Sequence, residues 1–308
     1  MRVVSLLPSA TEIVYALGYG YGLVGVSHEC DFPADAKTKP KMIEPVFETS
    51  RLSSEEIDAF VIEYMKRGES IYRIRFEELK KADPDLIITQ ELCAVCAIGA
   101  GDVLEAVNRL GKPVSVLSLN PHTLKDVRGD IRNVAEALGC RGEAERLTAE
   151  LDAKANRIKN LTNDVMRPRV LCVEWLRPLM NAGHWVPEIL DYAGGIDALA
   201  NQGKPSTYLD WTRAVNYDPE VVILMPCGFT TERTVREAKH FLGMPRAGEL
   251  SAVRNNRVYA TDGHNYFSRS GPRLFDAPAI LAHMLHPGLF DEPLDPKLGT
   301  TIGLTAEA

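Results

Sequence analysis

A chain of 308 residues with 45% hydrophobic and 25% charged residues has the composition of an ordinary folded protein of two average domains, which excludes a disordered or fibrous chain. A formal net charge of −7 excludes the clustered positive charge that binding to phosphate backbones requires, so no nucleic-acid partner is expected. No apolar run reaches the roughly 18 residues needed to cross a bilayer, so no membrane span is expected.

Met1 and Arg2 lead directly into the short apolar run Val3–Leu7. A secretory signal needs an apolar core of about 7–15 residues. The chain as written is therefore expected in the cytosol, and a mature form trimmed of a leader in the periplasm or at the cell surface. The six cysteines, Cys30, Cys93, Cys96, Cys140, Cys172 and Cys227, read as reduced thiols rather than a disulfide framework.

Val3–Leu7 predicts a buried strand. Ser9-Ala10-Thr11-Glu12 predicts a helix start, with Ser9 as N-cap and Glu12 closing a capping box, and the helix stops at Gly18. Leu23–Val26 is the next strand. Helices follow over Glu55 to Arg67, behind Ser53 and Ser54, and over Arg75–Ala82. Pro84 precedes the strand Leu86–Thr89, Asp102–Leu110 is helical, and Val114–Leu117 closes this half. A long helical stretch from about Thr123 to Asn163 follows, with a bend expected between Gly139 and Gly142. The pattern then restarts: strand Val170–Val173, helix Pro187–Ala193, strand Val221–Met225, helix Thr230–Phe241, strand Val258–Ala260 and helix Pro272–Leu285, before an irregular tail from Pro287. Cys140 falls within the long helical stretch, where packing is its expected role. Strands alternating with helices imply parallel sheets covered on both faces. The expected fold is α/β, with an N-terminal lobe over 1–122, a bridging helix over 123–163 and a C-terminal lobe with its tail over 164–308.

In open parallel sheets, ligands collect beyond the carboxyl ends of the strands. The residues there are Pro8-Ser9, His28-Glu29-Cys30 and Gln90 to Cys96 in the first lobe. In the second they are Glu174-Trp175, Pro226-Cys227-Gly228-Phe229 and Asp262 to Tyr266, joined by Gly183-His184-Trp185. Trp175, His184 and Trp185 could wall a large flat ligand, although tryptophans also serve as core and a histidine as a cap. Arg269 and Arg273, beside His264 and Tyr266, could hold an anionic group or serve only as caps and ion pairs. Cys93-x-x-Cys96 with His28 and Cys30 would match a tetrahedral zinc site, with Cys227 a further donor for zinc or iron. A single CxxC also fits buried small hydrophobes. His122, His240, His283 and His286 show no partner pattern and are expected as surface or cap residues. No G-x-S-x-G, P-loop, G-x-G-x-x-G or HExxH motif appears, so a ligand-binding protein is expected rather than an enzyme. The alternative is a cytosolic enzyme or metal-binding protein that uses these Cys and His residues.

Arg2 to Glu12, then Leu17-Gly18 and Leu23 to Val26, resemble the opening of the helical-backbone (class III) periplasmic solute-binding proteins of ABC importers, which carry cobalamin, siderophores or haem. Lys81 to Ile88, Tyr217 to Ile223 and Ile189 to Gly195 resemble recurrent segments of that family, and the likeness runs over roughly residues 2–285. Within the group the chain most resembles the cobalamin-binding members. The resemblance implies two Rossmann-like lobes joined by one long backbone helix. It also implies a small-molecule ligand, cobalamin or a related corrinoid or metal chelate, held in an inter-lobe cleft. The contact residues would be Pro8, Ser9, Glu91, Glu174, Trp175, His184, Trp185, Phe229, His264, Tyr266 and Arg273. An ABC permease would be the partner of an exported form, docked through a surface carboxylate on each lobe; Asp102 or Glu105 and Asp210 are the candidates. The cysteine-rich strand ends and the short N-terminus depart from the importer pattern.

Overall fold

The computed structural model describes residues 1–49, 52–90, 98 and 100–303. Contacts divide the chain into one unit of Met1–Leu52 with Glu56–Glu150, and a second of Ser53–Glu55 with Leu151–Ala308. Each is an α/β layer structure built on a mainly parallel sheet, as the strand–helix alternation predicts.

The first unit runs β1 (Val3–Ser5), α1 (Pro8–Ala16), β2 (Leu23–Val26), β3 (Ile43–Pro45), α2 (Ser54–Arg67), β4 (Tyr72–Ile74), α3 (Phe76–Ala82), β5 (Leu86–Gln90), α4 (Ala100–Leu110), β6 (Ser115–Leu119) and α5 (Leu124–Leu138). Its sheet has the order β2-β1-β5-β6, all parallel, while β3 and β4 form a separate antiparallel pair. All five residues of β5 are buried, which is why a Leu-Ile-Ile run suits this strand. Val4, Leu6, Ile87, Leu79, Val103 and Ala106 pack into one core.

Helix α1 begins two residues earlier than the Ser9 cap predicts. Pro8 takes the first helical position, Leu7 becomes the N-cap without a side-chain bond, and Ser9 and Glu12 turn inward. Proline suits that position because its missing N–H would have had no helical partner anyway. The capping box forms instead at α5, where Thr123 Oγ1 accepts from the Asp126 N–H and the Asp126 carboxylate accepts from the Thr123 N–H.

The bend expected near Gly139 is a full break. Gly139 adopts φ +74 and ends α5 in the left-handed conformation that glycine reaches without strain. Cys140 therefore sits between two helices rather than within one. Helix α6 (Arg141–Leu161) starts directly after it and runs through the division between Glu150 and Leu151. Arg146 bridges Glu143 at 2.7 Å and Glu150 at 2.9 Å along its exposed face.

The second unit continues with β7 (Val170–Leu176), β8 (Leu179–Asn181), β9 (Gly183–His184), α7 (Val186–Tyr192), β10 (Asn201–Gln202), α8 (Trp211–Tyr217), β11 (Val221–Leu224), α9 (Thr231–Glu237), α10 (Lys239–Leu242), α11 (Ser251–Arg254), β12 (Val258–Thr261), α12 (Gly263–Tyr266), α13 (Ala277–Leu285) and β13 (Gly299–Thr301). Its main sheet is ordered β13-β12-β11-β7-β8, with β12, β11 and β7 parallel and both outer strands antiparallel. Leu171, Val173, Val222 and Leu224 share one core with Phe241, Leu250 and Val253. Two expectations are corrected here. The stretch Thr230–Phe241 is two helices rather than one, and the tail is not wholly irregular, since β13 pairs with β12.

Both units repeat one device. In the first, Asp83 ends α3 with φ +43, Pro84 follows, and the Arg2 Nε donates to the carbonyls of Ala82 and Asp83. In the second, Asp218 ends α8 with φ +45, Pro219 follows, and Arg169 donates to the Asp218 carbonyl at 2.9 Å. The backbone carbonyl of each arginine accepts from the residue pair that opens the central strand, Asp85 and Leu86 in one unit, Glu220 and Val221 in the other.

Candidate functional site

Three adjacent parallel strands of the second unit, β12, β11 and β7, bring their carboxyl ends together, and their loops are cross-tied. The Cys227 N–H donates to the Glu174 carbonyl at 3.1 Å, and the His264 N–H to the Phe229 carbonyl at 3.0 Å. A Cβ on Gly263 would stand 2.3 Å from the Pro226 carbonyl oxygen, so only glycine lets the two loops approach this closely.

These ties place Trp175 and Phe229 with ring centroids 5.4 Å apart. The Arg233 guanidinium covers the Phe229 ring at 3.8 Å, which leaves Phe229 fully buried between a ring and a cation. Trp175 is partly exposed, and its indole N–H donates to the Ser54 carbonyl at 3.2 Å. Trp185 is buried and anchored by a 2.8 Å bond from its N–H to the Phe267 carbonyl. Of the two tryptophans expected as flat walls after strand ends, Trp175 is thus partly exposed, whereas Trp185 is buried. Trp175 lies within β7, which extends past the expected Val173 to Leu176.

After β12, Asp262 caps α12 by accepting the Asn265 N–H at 2.9 Å and its amide at 2.7 Å. Arg273 donates to the Asn265 side-chain amide oxygen Oδ1 at 3.1 Å and lies 5.7 Å from the Tyr266 ring. Arg269 is buried, with its Nη2 2.5 Å from His264 Nε2. His264, Tyr266 and Arg273 are partly exposed. Tyr266 also lines a pocket of about 330 Å³ with Ile280, His283, Leu294 and Leu298.

His184 lies in β9, directly before the Trp185 N-cap of α7, and its φ of +48 is unusual for a residue with a side chain. Its ring centroid is 5.5 Å from that of Trp185. Glu174 is partly exposed; its Oε1 accepts the Gly183 N–H at 2.9 Å and the Ser206 side chain bonds the same carboxylate. Burial pushes its pKa up to about 7 against the pull of those bonds. Asp197, held by the N–H groups of Cys172 and Leu199, is likewise raised by burial to about 6.

In the first unit, Pro8 is partly exposed and Ser9 is buried. Cys30 is buried with its Sγ 3.1 Å from Thr11 Oγ1, which in turn donates to Ser5 Oγ at 2.8 Å. His28 Nε2 stands 3.4 Å from the Glu29 carboxylate, and the ring lies against Tyr72. Cys227 is exposed in the second unit. Glu91, Cys93 and Cys96 lie outside the described residues. Among the described residues, no group of three or more His, Cys, Asp or Glu side chains is arranged to hold a metal ion. No helix of the described residues is long and apolar enough to cross a membrane. Asp102, Glu105 and Asp210 are exposed, and Asp210 caps α8 by accepting the Thr212 N–H at 2.8 Å.

The histidines expected as surface or cap residues have other partners: His283 stacks on Phe290 at 3.5 Å, and His286 Nε2 meets the Gly194 carbonyl at 3.2 Å. Sequence reasoning missed Arg233. The signal available was its place in the first turn of the helix that starts just after Phe229.

The sequence profile described as "Periplasmic binding protein" matches residues 3–264. A vitamin B12-binding protein of Vibrio parahaemolyticus is 24% identical over 280 residues, covering 90% of this chain and 86% of that relative. An ABC transporter substrate-binding lipoprotein of Bacillus subtilis, YvrC, is 25% identical over 298 residues, covering 94% and 82%. Among solved structures, the periplasmic heme-binding protein RhuT of Roseiflexus superposes with a TM-score of 0.68 at 24% identity, covering 94% of this chain and 99% of that one. The vitamin B12-binding protein BtuF of Vibrio cholerae gives 0.66 at 20% identity, covering 94% and 98%. The likeness to these structures shows the fold.

Proposed function

The chain belongs to the periplasmic binding protein family, and from that premise we propose that it captures a bulky metal-centred chelate, in first place a corrinoid such as cobalamin. The observation that carries this reading is the meeting of Trp175, Phe229 and His264 at the carboxyl ends of three adjacent parallel strands. Ligand sites favour such ends, and they favour aromatic walls with a few fixed polar groups. Trp175, His184, His264, Tyr266 and Arg273 are the partly exposed contact set, with Trp185, Phe229 and Arg269 packed behind them. Relatives named for vitamin B12 and structural neighbours named for heme support a large metal-bearing macrocycle.

Titration with cyanocobalamin, followed by calorimetry and visible spectra, tests the assignment, with haemin as the parallel probe. Saturable one-to-one binding of cyanocobalamin is expected. Neither heat nor spectral change with cyanocobalamin would defeat the corrinoid assignment, and saturable binding of haemin alone would replace it with a porphyrin.

Delivery to an ABC permease outside the cytoplasmic membrane belongs to the same proposal. Asp210→Asn, which keeps the helix cap, should lower uptake into permease-containing vesicles while ligand affinity stays unchanged. Unaltered uptake removes Asp210 from the docking set. Cell fractionation tests the location, and a purely cytosolic pool would overturn delivery.

A further inference from the structure

Glu174 directly precedes Trp175 on β7, yet its carboxylate is engaged inside the unit. It accepts the Gly183 N–H and is bonded by the Ser206 side chain. Gly183 is the first residue of β9, and His184 the second. The His184 N–H donates to the Lys204 carbonyl at 2.7 Å, and the Gly203 N–H to the His184 carbonyl at 2.9 Å. The approach is close enough that a Cβ on Gly183 would stand 2.4 Å from the Ser206 nitrogen and 2.6 Å from the Lys204 oxygen. One carboxylate thus ties the end of β7 to both halves of the segment that presents His184 in its φ +48 conformation.

Such a conformation persists only where its surroundings over-determine it. The two backbone bonds to the 203–206 turn fix His184 relative to that turn, and β8, paired with β7, holds the residues just after it through the Asn181–Thr207 bonds. Glu174 adds a direct side-chain link from β7 to the turn and to Gly183, at the position next to Trp175. A neutral side chain that accepts the Gly183 N–H would make the same link, so the role needs the acceptor geometry and not the charge.

We propose that Glu174 is a positioning residue of this site: it holds the His184 segment in register with Trp175 and does not itself touch the ligand. This rests on the ligand-binding reading above and assigns Glu174 a different part in it.

The test compares Glu174→Ala, Glu174→Gln and Ser206→Ala with the unaltered chain, by amide exchange at Gly183 without ligand and by calorimetric affinity for cyanocobalamin, or for haemin if only haemin binds. Loss of a buried acceptor corresponds to about a ten-fold change in an equilibrium constant. Glu174→Ala is expected to speed Gly183 exchange and weaken binding by about that factor. Glu174→Gln should restore both to within roughly two-fold, because its amide oxygen accepts the same N–H. Ser206→Ala, which leaves the Gly183 bond in place, should have a smaller effect on both and keeps the test open if Glu174→Ala does not fold. Unchanged Gly183 exchange in Glu174→Ala, failure of Gln to rescue, or faster exchange with unaltered affinity would each overturn the proposal. If the unaltered chain binds neither probe, the ligand reading fails, and Gly183 exchange still decides whether Glu174 holds the segment.

Discussion

Arg269 Nη2 and His264 Nε2 meet at 2.5 Å in the loop after β12. A guanidinium can only donate, so the imidazole nitrogen facing it must accept. The Arg269 bond therefore makes Nε2 the proton-free nitrogen of the His264 ring. Nitrogen-15 spectra of the imidazole should show an unprotonated Nε2 that gains its proton in Arg269→Met. A protonated Nε2 in the unaltered protein would refute the assignment. The bond also directs the Nε2 lone pair away from any incoming metal centre.

Asp130 on α5 is a buried carboxylate whose Oδ2 has no hydrogen-bond partner among the described residues. Burial, and secondarily the charge of Asp126, lifts its pKa from 3.8 to about 7. The folded state therefore holds this proton more tightly than the unfolded chain. Its contribution to stability is complete below about pH 4 and is lost as the pH rises to about 7. Asp130→Asn should gain on the order of 2 kcal/mol relative to the unaltered protein at pH 8, and little at pH 4. Denaturant unfolding at both values checks this, and an equal effect at the two would show that Asp130 is not the titrating group.

Two glycines separate close approach from ordinary helix propensity. Gly263→Ala would drive a methyl group into the carbonyl oxygens of Pro226 and Met225. It should destabilise by about 2 kcal/mol or more and part the loops that carry Phe229 and His264. Gly129, inside α5, has open space around the same position. Gly129→Ala should therefore stabilise by about 0.5–1 kcal/mol through helix propensity alone. Thermal unfolding of the two variants reads both signs directly.

The paired left-handed aspartates make a sharper comparison. Asp83 and Asp218 share a backbone conformation, but their side chains are employed differently. Asp218 accepts both the N–H and the hydroxyl of Ser251 at 2.7 Å, which holds α11 to the end of α8. The exposed Asp83 carboxylate meets the Lys112 ammonium, a pair worth under about 1 kcal/mol. Glycine relieves the backbone at either site. Asp83→Gly should thus be neutral or slightly stabilising, whereas Asp218→Gly should cost about 1–2 kcal/mol. Equal effects would mean that the Ser251 bonds contribute nothing.

Those two Asp-Pro steps also mark how far the sequence could be read. The runs after them, Leu86-Ile87-Ile88 and Val221-Val222-Ile223, are legible because both faces of a central parallel strand are buried, so every position must be apolar. The arginines that close each device, Arg2 and Arg169, are not legible, because they recognise backbone carbonyls that carry no residue identity. Ser9 misled because the capping pattern is satisfied by residue type, while Pro8 decides where the first helical turn begins. The pairing of Gly299–Thr301 with β12 leaves little trace in a three-residue edge strand. For the candidate site, the strand-end rule pointed to Phe229 and His264, which follow β11 and β12, whereas Trp175 lies within β7, which runs on to Leu176. It could not tell a wall from an anchor, since that depends on where each indole N–H finds its acceptor.

The two tryptophans make that distinction measurable. Trp185 is buried, and its N–H is the donor to the Phe267 carbonyl within the loop that also carries Arg269 and Arg273. Trp185→Phe keeps the ring but leaves a buried carbonyl without its partner, at a cost of about 1–3 kcal/mol. Trp175 is partly exposed, with its longer 3.2 Å bond to Ser54. Trp175→Phe should lower stability by less than about 1 kcal/mol, because a half-exposed group can exchange its partner for water. It should nevertheless weaken cyanocobalamin binding several-fold, because it shortens the exposed aromatic edge beside Phe229. Denaturant midpoints paired with calorimetric affinities would separate the two roles. A Trp175→Phe variant that loses stability but not affinity would turn Trp175 into a second anchor and move the ligand surface towards Tyr266 and His184.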